Sequence, residues 1–182
     1  MKEIRIHGRG GQGNVAAAEI MALAAFRDGK TSQAFPFFGS ERMGAPVAAF
    51  VRISNDRIRT RCQIYNPDYV VVQDPTLIGA VDVAAGLKPG GLVLINTERP
   101  ADQLGFPPDV KVKTVPASRI ANEVLGRPIP NTALVGAFAA ATGEISLEAV
   151  VEAVRERFSG EVAEKNVKAV EEAYRFVQGA SQ

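Results

Sequence analysis

The stretch "IRIHGRGGQGNVAAAE", residues 4–19, decides how the chain is read. Residues 4–7 read as a short strand. Residues 14–28 are a run of Ala, Ile, Met and Leu in which Glu19 is the one acid before the end. That composition predicts a buried helix with a narrow polar face, closed by Gly29. Ala16, Ala17 and Ala18 in its first turns permit close packing on a sheet. Between strand and helix, four glycines crowd one turn. Gly8, Gly10 and Gly13 satisfy G-x-G-x-x-G, with Gly11 in addition. Glycines let a backbone approach an anion closely. The N–H groups and dipole of a helix start favour negative charge there. Arg9 adds a positive charge at the mouth of the turn.

A dinucleotide site makes a second demand, an acid about 20 residues on, at the end of the next strand. Asp28 precedes that strand, Phe35-Pro36-Phe37 occupies the expected place, and Glu41 lies deep in a loop. Half of the fingerprint therefore fails. No Lys-Ser or Lys-Thr follows the glycines, so the turn is not a P-loop. Two readings stay open: a phosphate-bearing ligand other than a dinucleotide, or a tight packing turn that binds nothing.

Composition narrows the rest. The 182 residues suit a single domain, 1–178, with 179–182 as a frayed tail. The net charge of +1 gives no general attraction for nucleic acid or an anionic membrane. No apolar run reaches the ~18 residues of a membrane span. Residues 1–4 lead directly into a strand pattern without a signal-peptide core, so a cytoplasmic protein is expected. The single cysteine, Cys62, excludes an internal disulfide and an iron–sulfur cluster held by this chain alone. His7 is the only histidine, which argues for a structural role and against a zinc site. Redox chemistry here needs a borrowed cofactor or a partner chain.

Further strands are expected at residues 31–35, 47–53, 57–64, 69–73, 92–96 and 110–115. Residues 47–53 and 57–64 would form a hairpin about Ser54-Asn55-Asp56, with Arg57, Arg59 and Arg61 on one face. That face would be solvated or would meet an acidic group or partner. Further helices are expected over 77–87, from a Ser118 cap to 125, over 131–142 capped by Asn131, from Ser146, and over 161–177. Cys62 reads as a small core residue. Residues 35–46, "FPFFGSERMGAP", have no period and form a loop, with Phe35, Phe37 and Phe38 as anchors or interface residues. Strands alternating with helices, plus one hairpin, predict a three-layer α/β/α domain around a mixed, largely parallel sheet, with a helical C-terminus.

Four segments together, "GRGGQGNVAAAE", "FGSERMGAPVAAFVRIS", "PDYVVVQDP" and "PNTALVGAFAAATG", resemble the gamma subunit of the 2-oxoacid:ferredoxin oxidoreductases, the pyruvate and ketoisovalerate group. The resemblance covers about residues 1–178. It implies a complex that decarboxylates a 2-oxoacid on thiamine diphosphate, passes electrons through [4Fe–4S] clusters to ferredoxin and releases an acyl-coenzyme A. Thiamine diphosphate and clusters would sit in alpha, beta and delta ferredoxin-like partner subunits. This chain would handle coenzyme A and assist assembly, with no catalytic or metal-ligating residue of its own; as an isolated subunit it is expected to be inactive and to associate through exposed apolar patches, a homodimer being one form of that. In the second segment, Phe38 stands where the family has tyrosine, and Met43 interrupts its glycine pair. That departure leaves the 2-oxoacid open.

Gly8, Arg9, Gly10, Gly11, Gln12, Gly13 and Asn14 are the candidate phosphate cradle. Ser40, Glu41 and Arg42 are candidates to orient ligand or a partner, or form a plain surface ion pair. Asn131 and Thr132 are expected to cap a helix first and touch ligand second. The competing functions are a stand-alone nucleotide-binding Rossmann-like protein and a pure assembly scaffold.

Overall fold

A computed structural model of the chain describes residues 1–37 and 43–180. Six strands, β1 (Lys2–Arg9), β2 (Thr31–Phe37), β3 (Pro46–Ser54), β4 (Tyr69–Val72), β5 (Leu92–Asn96) and β6 (Lys111–Val115), form one sheet in the order β2-β3-β1-β4-β5-β6. β1, β4, β5 and β6 run parallel, and β3 lies antiparallel between β1 and β2. Five helices follow the chain: α1 (Asn14–Arg27), α2 (Ala117–Leu125), α3 (Asn131–Thr142), α4 (Leu147–Arg157) and α5 (Gly160–Gly179).

Alternation along the strands sorts the two faces. Ile4 and Ile6 of β1, Ala49, Val51 and Ile53 of β3, Val71 of β4 and Leu94 of β5 join the core beneath the helices. All five helices contribute to that one core. α3 is buried nearly all round, which its Ala, Val and Leu composition allows. Gly136 makes its closest crossing possible, because a Cβ there would lie 2.3 Å from the Val170 carbonyl of α5. On the opposite face a smaller core gathers Val70, Val72, Val93 and Ile95 under Leu77, Val83 and Leu104. There the third layer consists of turns and two short 3₁₀ segments, Pro75–Leu77 and Ala101–Gln103.

Two expected elements are replaced on that face, and two buried arginines explain both. The hairpin joins β2 to β3, so both edges of β3 are already taken and residues 57–64 cannot pair with it. Arg52, almost fully buried, takes the Cys62 carbonyl (2.7 Å). Arg5 takes the Ile64 and Tyr65 carbonyls. Cys62 is exposed, contrary to its expected core position, and Arg57, Arg59 and Arg61 lie on an exposed irregular segment, not a strand face. Residues 77–87 are not an α-helix, since Arg5 also claims the Val83 and Ala85 carbonyls and Gly79 and Gly86 sit at positive φ. Helix starts move as well. Pro116 and Pro130, not Ser118 and Asn131, occupy the cap positions of α2 and α3. Ser118 instead exchanges hydrogen bonds with Asn96: its N–H donates to Oδ1 (2.9 Å) and its Oγ accepts from Nδ2 (2.8 Å).

Candidate functional site

The glycine turn stands at the carboxyl ends of the parallel strands, where ligands of open α/β sheets bind. Its glycines do different work. Gly8 leaves room for Asn14, whose Oδ1 would lie 2.3 Å from a Cβ there. Gly13, at φ +78°, caps α1, and a Cβ on it would strike Asn131 Nδ2 at 2.5 Å. The starts of α1 and α3 therefore meet at this point. Gly10 pairs by backbone with Ala45 and Gly44, at 2.9 and 3.1 Å, prolonging the β1–β3 ladder. Gly11, at φ +91°, has open space around it, its nearest neighbour being Met43 Cγ at 3.8 Å.

The polar side chains of the turn brace it. Gln12 accepts from the Arg9 N–H (2.7 Å) and donates to Asp74 Oδ2 (2.8 Å). Arg9 donates to Thr76 Oγ1 and the Gly44 carbonyl and lies 3.3 Å from Asp74. Burial by itself would raise the Asp74 pKa. Hydrogen bonds from the Thr76 hydroxyl and N–H and from Gln12, with the Arg9 charge, hold it below the ordinary carboxylate value. Arg9 thus brings its positive charge to the turn already paired. Asn14 donates to the Val47 carbonyl (3.2 Å) and accepts from Gln73 Nε2 (2.6 Å), stitching α1 to β3 and β4.

What the braced turn leaves open is the start of α1. Ala17 makes the first intrahelical bond, to the Gly13 carbonyl, and among the described residues no side chain caps the N–H groups before it. Beside this start lies a pocket of about 450 Å³ lined by Arg9, Gly10, Gly11, Gly13 and Asn14 of the turn together with Val15, Phe37, Met43 and Val47. Backbone donors beside an apolar wall suit a phosphate joined to an uncharged group. Below the strand, His7 is buried and accepts from Arg5 Nε (2.9 Å). Burial first, and then the Arg5 charge, depress its pKa to about 4, so it is neutral.

Of the residues singled out in the sequence, Gly8 through Asn14 and Asn131 come together here. Thr132 is fully buried beside them, donating to Asn166 Oδ1. Ser40, Glu41 and Arg42 lie outside the described residues. Gln73, Asp74 and Thr76 were not anticipated. The phrase Gln73-Asp74-Pro75, closing a β-branched run, was their only signal, because sequence does not say that β4 lies beside β1. Among the described residues no group of three or more His, Cys, Asp or Glu is placed to hold a metal, and no helix is long and apolar enough to cross a membrane.

Residues 3–176 match the sequence pattern of the family described as pyruvate ferredoxin/flavodoxin oxidoreductase. The chain is 58% identical over 174 residues to the pyruvate synthase subunit PorC of Methanocaldococcus jannaschii, covering 96% of each. It is 57% identical over 178 residues to the pyruvate/ketoisovalerate oxidoreductases common subunit gamma of Thermococcus kodakarensis, again covering 96% of each. The crystal structure of the pyruvate oxidoreductase subunit PORC of Thermotoga maritima superposes with a TM-score of 0.85 at 38% identity, covering 96% of this chain and 95% of that one.

Proposed function

From the premise that the chain belongs to the pyruvate ferredoxin/flavodoxin oxidoreductase family, as a gamma-type subunit of a 2-oxoacid oxidoreductase complex, we propose that its glycine turn holds a phosphate of coenzyme A. The observation that carries this reading is the uncapped start of α1, beside a pocket with an apolar wall. Three backbone N–H groups of a first turn, with the helix dipole, stabilise a phosphate without needing a dedicated cation. That matters here, because Arg9 is already paired with Asp74.

In this reading the 2-oxoacid, thiamine diphosphate and iron–sulfur clusters belong to partner subunits, and ferredoxin takes the electrons. One cysteine in the whole chain supplies too few thiolates for a cluster. The subunit's own contribution is binding: it fixes one end of the acyl acceptor so that the thiol reaches the partner's site. A second contribution, assembly, is supported by the rim of the pocket. Met43 is 93% exposed, Phe37 43% and Val15 39%, an apolar patch suited to a partner's surface.

The test is calorimetric titration of coenzyme A into the complex assembled with this chain, with NAD as control. Gly11→Ala meets nothing closer than 3.8 Å, carries only the backbone strain of φ +91° and narrows the pocket mouth. It should weaken coenzyme A by about tenfold, the scale of one or two lost hydrogen bonds, while NAD binds to neither protein. Unchanged affinity in a folded variant leaves the turn as architecture and the chain as scaffold.

A further inference from the structure

On the far side of the glycine turn is a second cleft of about 240 Å³, between the turn, the end of β4 and the prolines that precede α3. We propose that this cleft receives an O–H or N–H donor of the same ligand, with Gln73 Oε1 as the accepting atom. The proposal rests on the coenzyme A reading and extends it to a second contact.

Gln73 is 1% exposed, and its Oε1 is the one buried side-chain N or O atom without a hydrogen-bond partner among the described residues. Every other polar group of the residue is engaged. Its N–H donates to the His7 carbonyl (2.8 Å), its carbonyl accepts from Asn96 Nδ2 (2.8 Å) and its Nε2 donates to Asn14 Oδ1. The orientation of the amide follows from the chain of partners. Asn14 must present its Nδ2 to the Val47 carbonyl, which turns Oδ1 toward Gln73 and therefore requires Nε2 there. Reversing either amide sets oxygen against oxygen. A buried acceptor left unmet is costly, and native proteins rarely keep one without a use.

No donor of the described residues reaches it, the Ser118 hydroxyl of the lining included. Pro75, Pro128 and Pro130 have no N–H. Gln12 and Asn96 have both ends of their amides committed. Asp74 is an acceptor itself. The cleft is thus rich in acceptors, the reverse of the donor-lined pocket across the turn, and Gly11 lines both. One extended molecule, a phosphate with a hydroxyl or amide N–H a short distance along it, meets both demands. Coenzyme A carries such donors in its ribose and in its pantetheine amides.

The experiment titrates coenzyme A, its phosphorylated adenosine half, phosphopantetheine and coenzyme A analogues with N-methylated amides or without the ribose hydroxyl into the assembled complex carrying wild-type chain or Gln73→Met. Met keeps the volume and removes the acceptor, but it also removes the Nε2 donor to Asn14, so the analogues on wild type carry the deciding comparison. Gln73→Met should weaken coenzyme A by about tenfold, and the analogue that lacks the donor should lose as much on wild type and lose nothing further on Gln73→Met. A loss shared by the adenosine half assigns the donor to the ribose, and one shared by phosphopantetheine assigns it to an amide. Should Gln73→Met not fold, the analogues carry the same test on wild type. Undiminished binding of the analogues to wild type means that the cleft holds only water and overturns this inference alone. If coenzyme A does not bind wild type at all, the phosphate reading falls and takes this one with it.

Discussion

At the amino ends of β1 and β4, Lys88 bridges Glu3 (3.3 Å) and Asp68 (2.9 Å), the Glu3 N–H donates to Asp68, and Glu3 takes the buried Arg52 guanidinium at 2.9 Å. Tyr69 donates to Glu144 there (2.7 Å), and burial, then that carboxylate, push its pKa up. At the carboxyl ends of the same strands, among the described residues, the start of α1 has no capping side chain, Gln73 Oε1 has no donor, and Met43 and Phe37 are exposed. One end of the sheet is electrostatically closed and the other is left incomplete. Incomplete groups cost stability, and their concentration at one end supports the proposal that this is the binding end.

The sharpest way to break this comparison is Arg52→Met. Arg52 is 1% exposed and serves Glu3, Gln33 and the Cys62 carbonyl together. Met keeps the aliphatic stem but removes three charge-assisted hydrogen bonds at once, while Glu3 keeps Lys88, and the expected loss is about 3–5 kcal/mol by urea denaturation. Coenzyme A affinity of the protein that remains folded should not change. A parallel fall in affinity would show that the two ends are coupled and that the closed end is not merely a foundation.

His7 tests the boundary between the ends through pH. Its folded pKa of about 4 lies below the ordinary value of 6.5, because burial disfavours the imidazolium and Arg5 repels it. The unfolded chain therefore binds the proton first. Stability from this group is complete above about pH 6.5 and is lost as pH falls toward about 4, by roughly 3 kcal/mol in all. His7→Gln keeps an acceptor for Arg5 Nε and does not titrate. The urea midpoint of the wild type should drop between about pH 7 and pH 4 more steeply than that of the variant. Parallel profiles would mean that His7 is solvated enough to titrate normally.

How far this division could be read from sequence depends on whether the forces are local. The glycine turn, α1, α3 and the C-terminal helices are written in short-range composition, and the sequence reading placed them closely. The 57–64 and 77–87 segments were misread because their carbonyls are claimed by Arg5 and Arg52, which are distant in sequence and carry no local mark. The same holds for the site. Gly8 to Asn14 announce themselves, but Gln73 matters only because β4 pairs with β1, and pairing order is a tertiary fact. The strand after α1 lies two places away, at the edge of the sheet, and β4 brings Gln73 and Asp74 beside the turn instead.

The smallest effect separates two glycines inside the turn itself. Both Gly11 and Gly13 hold positive φ, so alanine at either incurs roughly 1–2 kcal/mol of backbone strain. At Gly13 the added Cβ also meets Asn131 Nδ2 at 2.5 Å, where α1 and α3 begin side by side. At Gly11 it meets nothing closer than 3.8 Å. Gly13→Ala should therefore cost about 2–3 kcal/mol and Gly11→Ala only the strain, as read by thermal melting. In ligand binding the order should reverse, because Gly11 lines both the pocket and the cleft, whereas Gly13 lines only the pocket and is engaged with the protein. Equal melting losses would mean that Asn131 yields easily to the new methyl. Equal losses in coenzyme A affinity would mean that the turn binds through its overall shape, so that the division between closed and open ends does not extend to single residues within it.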